Sequence, residues 1–441
     1  MFTLNGLASR YCDGQSRRSF LQVGALGMGG LTLSSLMQAE AATGRKSQKS
    51  VIMVYLTGGL AHQDTFDLKP AAPSEVRGEF KPIATSLPGV QFGEHLPNLA
   101  RCADKMIVLR SLVGQRDEHS SYQSYTATTM GDAKREHKPH FGSVVAKLLG
   151  QTDPMVPAFV DLSPTMQHKP YNTPGAGMLG RGAAAVKVDG DEVAVLKNRS
   201  VPLEQLASRK QLLATMDRFK HDADTSRGIA ADTFHDRAFD VLTSSKLVDA
   251  LDVTKEPERV RERYGRGSTK HLGDGAPQWN DQLLMARRLV EAGARVVTVA
   301  YGFWDTHGNN FSYLKKQLPL FDRGISALIE DIYARGLSDD VTVCVWGEFG
   351  RTPKINKDAG RDHWARVNSA LLAGGGMRVG QVIGSTDAIG GEAKNDPIPY
   401  ANVLATVYKN LGLDPHAMVY DVSNRPNPIL PSSVQTIDRV Y

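Results

Sequence analysis

Val341-Thr342-Val343-Cys344-Val345-Trp346 runs directly into Gly347-Glu348-Phe349-Gly350-Arg351. A β-branched, apolar run of this kind reads as a strand buried on both faces, the pattern of a parallel sheet covered by helices. The polar, glycine-containing stretch after it then sits where the strand ends. Two other places repeat the arrangement. Residues 51–56 lead into Gly58-Gly59-Leu60-Ala61-His62-Gln63-Asp64, and residues 296–299 lead to Trp304-Asp305-Thr306-His307. A fourth polar segment, Gly360-Arg361-Asp362-His363-Trp364, follows soon after Arg351. In open α/β sheets ligands sit beyond the carboxyl ends of the strands. Convergence of these ends would gather Asp64, Asp305, His307, Glu348 and His363, the carboxylates and imidazoles that a divalent cation needs.

Further strands are predicted at 106–109, 158–162 and 367–372, and helices at 98–104, 141–149, 280–292, 313–334 and 401–411. The stretch 202–265 differs. It is charged, favours helix and carries almost no strand signal, with apolar residues at helical spacing in 204–219 and 231–251. It reads as a helical insertion over the sheet. Strand–helix alternation on both sides of it predicts one α/β domain, doubly wound and largely parallel, spanning 43–441.

The first 42 residues read differently. Ser16-Arg17-Arg18-Ser19-Phe20-Leu21 is a twin-arginine element. A weakly apolar, glycine-rich run follows over 23–37, and Ala39-Glu40-Ala41 supplies small residues for cleavage. The run is too short and too rich in glycine for a stable membrane span of about 20 residues. A twin-arginine export signal over 1–42 is therefore expected, with the twin-arginine translocase as partner and a periplasmic or secreted mature chain without a stable membrane span. The formal charge of +5 includes Arg17 and Arg18, so the mature chain is only mildly basic. It has no dense lysine/arginine tract, which argues against nucleic acid as a partner. Cys102 and Cys344 remain after the signal; neither belongs to a C-x-x-C metal knuckle.

Each candidate residue carries a bland alternative. Asp64 follows a Gly-Gly turn that can aim its carboxylate across the strand ends, but aspartate also caps turns routinely, and Asp67 is close by. Asp305 and His307 are two apart, so an extended backbone turns both to one side; the same residues also suit a surface turn. Glu348 can bind a cation, and Arg351 offers a fork suited to phosphate or sulfate, or the two can pair with each other. His363 can ligate with Asp362 orienting it. His119-Ser120-Ser121 offers a hydroxyl as an activated nucleophile, or as the cap of a following helix. Such ligands admit zinc, manganese, magnesium or calcium; histidines favour the first two.

These motifs, together with Leu96-Pro97, Arg110-Ser111, Gly347 to Pro353 and Gly380-Gln381-Val382-Ile383-Gly384, resemble an exported bacterial family known as domain of unknown function 1501. The resemblance spans about 50–413. That family is similar to the alkaline phosphatase superfamily, which includes sulfatases, phosphodiesterases and cofactor-independent phosphoglycerate mutases. The resemblance implies an alkaline-phosphatase/sulfatase-like sheet holding one or two metal ions at its strand ends. It implies that Asp64 and Glu348 hold one ion, that Asp305, His307 and His363 hold another, and that His119, Ser120 and Ser121 occupy the nucleophile position. Arg351 would hold an anionic ester substrate. The C/S-x-P-x-R element of sulfatases is absent. The expected function is an exported metal-dependent hydrolase of phosphate or sulfate esters; the alternative is a non-catalytic exported binding protein on the same fold.

Overall fold

The computed structural model describes residues 48–189 and 245–441. The expected export signal, 1–42, lies outside them, as does most of the expected helical insertion. Only the end of that insertion is described, and there Ser245–Leu251 and Glu258–Tyr264 are helical. No helix among the described residues is long and apolar enough to cross a membrane.

The central sheet has nine strands: β1 (Ser50–Leu56), β2 (Met106–Val113), β3 (Phe159–Asp161), β4 (Val186–Lys187), β5 (Val296–Tyr301), β6 (Val341–Gly347), β7 (Asn368–Gly374), β8 (Gln381–Ile383) and β9 (Ile398–Pro399). Their order is β8-β2-β7-β6-β1-β5-β3-β4, and β9 also pairs with β2. β1 lies between β5 and β6 and is parallel to both, with Val51 opposite Val296 and Thr342. β7 alone runs against its neighbours, β6 and β2. The three apolar runs of the sequence are thus adjacent parallel strands.

The doubly covered character follows from alternation along β1. Ile52, Val54 and Leu56 face one core, with side chains of the helices Asp281–Ala292 (α2) and Asn310–Ala334 (α3). Val51, Met53 and Tyr55 face the other, with the helices Phe141–Leu149 (α1) and Ala401–Asn410 (α4). Both faces of the strand are apolar because both are buried. Fully burying such side chains contributes about 1.5–3 kcal/mol each.

Parallel strands share an exit edge. β1, β2, β5 and β6 all end there, and antiparallel β7 begins there, so five adjacent strands deliver their connecting segments to one side. The predicted helix 313–334 starts three residues earlier, at Asn310, whose side chain takes part in the polar network at that edge.

Candidate metal centre

The segment after β1 turns at Gly58 and Gly59, both with positive φ (+93° and +78°). A Cβ on Gly58 would lie 2.6 Å from the Asp305 nitrogen, and one on Gly59 would lie 2.6 Å from the Phe349 carbonyl. Only glycine lets the three exits from β1, β5 and β6 press together this closely. The exit from β5 is anchored by Trp304 N–H donating to Thr57 O at 2.7 Å. After β6, Gly350–Arg351 pairs antiparallel with His363–Trp364, which folds 350–364 back and sets His363 beside the β6 exit.

Four ligand-type side chains meet there: His119, Asp305, His307 and His363, whose ligand atoms all lie within 4.8 Å of one another. Asp305 is the hub. Its Oδ1 is 3.0 Å from His307 Nε2 and 3.2 Å from His363 Nε2, and its Oδ2 is 3.3 Å from His119 Nε2. The two Nε2 atoms of His307 and His363 are 2.9 Å apart. Each histidine faces an acid with its other nitrogen. His363 Nδ1 is 2.7 Å from Asp117 Oδ1, His307 Nδ1 is 2.8 Å from Asp362 Oδ1, and His119 Nδ1 is 3.3 Å from Glu348 Oε1. Phe349 packs against the rings of His119 and His363.

This pattern suits a cation. Asp117 and Asp362 can only accept when ionised, so the Nδ1 atoms facing them carry the protons. The Nε2 atoms of His307 and His363 then face each other and a carboxylate oxygen. Two imidazole nitrogens and a carboxylate oxygen that meet in this way offer three donor atoms to a cation. A tetrahedral zinc ion with bonds of about 2.0–2.1 Å sets its ligand atoms about 3.3 Å apart, close to the spacings found. An outer carboxylate behind each ligating imidazole is the usual support of such a centre.

Charge follows geometry. Burial works against protonation of His119, but hydrogen bonds to Asp305 and Glu348, with their charges, outweigh it and raise its pKa to about 9. Burial likewise acts to raise Asp305, yet His119, His363 and Arg351 hold it well below the usual carboxylate range. The hydrogen bond from His307 holds Asp362 low.

The remaining expected residues stand outside this group of four, Glu348 and Arg351 directly against it. Asp64 is fully buried and both its oxygens are taken: Arg361 donates Nε–H and Nη2–H to them, each at 2.8 Å, and Asn310 donates at 2.8 Å. Glu348 accepts Gly58 N–H at 2.7 Å. Arg351 has no exposed surface; it donates to the carbonyls of Gly58, Gly59 and Arg361 and pairs with Asp305. Its place is behind the carboxylate and not in an open cleft. Ser121 gives its hydroxyl to Asn172 O at 2.8 Å. Ser120 accepts Tyr122 N–H at 3.2 Å, at the start of the short helix Tyr122–Thr126. His119, the neighbour of these serines, is the residue that enters the group. Two participants had no signal of their own in the sequence: Asp117, and Tyr171, whose hydroxyl is 2.7 Å from His119 Nδ1.

Residues 48–440 match the family described as protein of unknown function (DUF1501), and the chain belongs to that family. No curated protein matches it. Similar solved structures include the PsFucS1 sulfatase from Pseudoalteromonas sp., 13% identical over 92% of this chain and 73% of that one, with a TM-score of 0.39. The phosphonate monoester hydrolase SpPMH from Silicibacter pomeroyi is 11% identical over 88% and 76%, at 0.35. The alkaline phosphatase from the Antarctic bacterium TAB5 is 13% identical over 83% and 99%, at 0.32.

Proposed function

We propose that this member of the family is an exported, metal-dependent hydrolase of phosphate or sulfate esters, working with one divalent cation. The observation that carries the reading is the set of three imidazoles turned toward Asp305, each with an acid behind it. Export rests on the twin-arginine element at 16–21. One ion is proposed instead of two because the guanidinium of Arg361 already neutralises Asp64 and that of Arg351 flanks Asp305. Zinc or manganese suits a set with three imidazoles better than magnesium or calcium.

A cation held there would polarise an ester oxygen and lower the pKa of a water that reaches it. The chain's own contribution is orientation. Asp117 and Asp362 fix the rings of His363 and His307, and Arg351 holds the Asp305 carboxylate from behind. The His307 side chain is 46% exposed, so the ester would approach from its side. With Arg351 buried, the cation itself would meet the negative charge of a phosphate or sulfate. Water is the proposed nucleophile, since the Ser120 and Ser121 hydroxyls are engaged with backbone.

Those same engagements favour a second reading, a non-catalytic exported binding protein that keeps the ion. Metal analysis of the purified mature protein, combined with aryl phosphate, phosphodiester and aryl sulfate substrates, separates the two. One ion per chain with turnover that a chelator abolishes supports the hydrolase. One ion with no turnover on any of them supports the binding protein, and a chain that takes up no divalent cation defeats both.

A further inference from the structure

Beyond α4 a small hairpin packs on the core that α1 and α4 share. Met418–Tyr420 pairs antiparallel with Pro426–Pro428, Met418 opposite Pro428 and Tyr420 opposite Pro426. Val419 is buried in that core, as are Ile429 and Leu430 just after the second strand. Successive strand residues point to opposite faces, so Met418, Tyr420, Pro426 and Pro428 share the outer face and Val422 extends it. Met418 is 54% exposed, Tyr420 51% and Val422 77%; both prolines are exposed as well. Of the six large apolar side chains exposed among the described residues, three therefore stand within five positions of one hairpin.

The turn of this hairpin is pinned from within. Asp421 N–H donates to Arg425 O at 3.0 Å, and Asp421 Oδ1 accepts the N–H groups of Ser423 and Arg425 at 2.8 and 2.9 Å. The edges are closed to a further strand. Asp421 with Arg425 and Ala417 with Ile429 bond across the hairpin, so the alternate residues turn their backbone groups outward. On one edge those residues are Pro426 and Pro428, which have no N–H to offer. On the other, Val422 N–H is already taken by Met178 O at 3.1 Å. What remains open is the face. At about 200 Å² for a large side chain, its five residues offer roughly 400 Å². Asp414, Ser423, Asn424 and Arg425, all exposed, surround it. An apolar patch of this size within a polar rim marks an interaction site.

We infer that this face is a self-association surface: two copies of the chain pack hairpin on hairpin about a two-fold axis near Tyr420, so that Met418 of each copy meets Val422 of the other. A second copy is the occupant that the patch fits. Closed edges leave no place for an extended peptide to add as a strand, whereas one sheet packing on another uses the face alone. The centre holds no charge, so burying it against itself leaves none unpaired. The rim carries both signs, Asp414 and Arg425, which spares two copies like-charge repulsion. Roughly 400 Å² from each copy falls short of the 800 Å² per partner of a standard stable complex, so the dimer forms reversibly. None of this depends on the metal centre.

Sedimentation of the full mature chain at concentrations from about 1 μM to 1 mM tests the inference. The wild type is expected to pass from monomer to dimer mass across that range. Val422→Glu sets a charge on a side chain that the monomer leaves 77% exposed. It is expected to stay monomeric throughout, with its melting midpoint unchanged. Val422→Ser, expected to move the transition to higher concentration, decides the matter if the glutamate variant does not fold. Tyr420→Cys is expected to give a disulfide-linked dimer on mild oxidation, because the native Cys102 and Cys344 are buried. A wild type that stays monomeric overturns the inference. So does a folded Val422 variant that dimerises as the wild type does, or a Tyr420→Cys protein that fails to cross-link.

Discussion

Asp64→Asn separates the two roles open to a buried carboxylate at the end of β1. Arg361 is wholly buried, and its guanidinium is neutralised by Asp64 alone among its close contacts; the others are the carbonyls of Val76, Thr352 and Pro353. In the variant, one oxygen that now accepts from Arg361 or Asn310 becomes an NH2 group facing a donor. Removing one member of a buried pair costs about 3–5 kcal/mol, because the other charge is left uncompensated. For the roughly 390 residues from 48 to 440, the unfolding entropy is about 0.8 kcal/mol/K, so the melting midpoint should fall by about 4–6 °C. Calorimetry gives the midpoint, and elemental analysis of the same preparation gives the ion content. The expected result is a lower midpoint with unchanged metal per chain. An unchanged midpoint with metal lost would show that Asp64 is a ligand and that the pairing with Arg361 is dispensable.

His307→Ala and His363→Ala should each weaken zinc binding by more than the 10–100-fold typical of losing an outer-shell partner, while Asp117→Asn should fall within that range; competition with a chelating dye measures all three. Zinc affinity of the wild type should rise about tenfold per unit between pH 7 and 9 and then level off, because binding must displace the proton that His119 holds up to about 9. The sign for stability is opposite. A pKa raised from 6.5 stabilises the metal-free protein fully below 6.5, and that contribution is lost as pH rises through about 9, which melting of the chelated protein across this range would reveal. Changing Arg17 and Arg18 to lysine should leave the precursor in the cytoplasm, and cell fractionation checks it.

Much of the architecture was legible because burial on both faces leaves a plain signature. The runs ending at Leu56, Tyr301 and Gly347 are dominated by apolar and β-branched residues on both faces, and they are β1, β5 and β6. The direction of β7 was not legible, since an apolar run reads the same either way along the sheet. At the site, Asp305, His307 and His363 stood out because they follow a strand end or crowd a polar loop, and they lie together. The role of Asp64 was hidden because its partner, Arg361, lies 297 residues away. Arg351 looked like an anion fork because a sequence does not say that its fork is filled by the Gly58 and Gly59 carbonyls. Asp117 was invisible for a related reason: an exposed aspartate between Arg116 and Glu118 looks like solvated surface until the hairpin brings His363 to it.

The central claim is a single cation held by His119, Asp305, His307 and His363. Anomalous diffraction at the zinc absorption edge, from crystals of the mature protein grown with zinc, tests it most directly. The account predicts one peak per chain, about 2.0–2.2 Å from Asp305 and the three histidine Nε2 atoms. A peak at Asp64 or Glu348, or no peak among the four side chains, would contradict it.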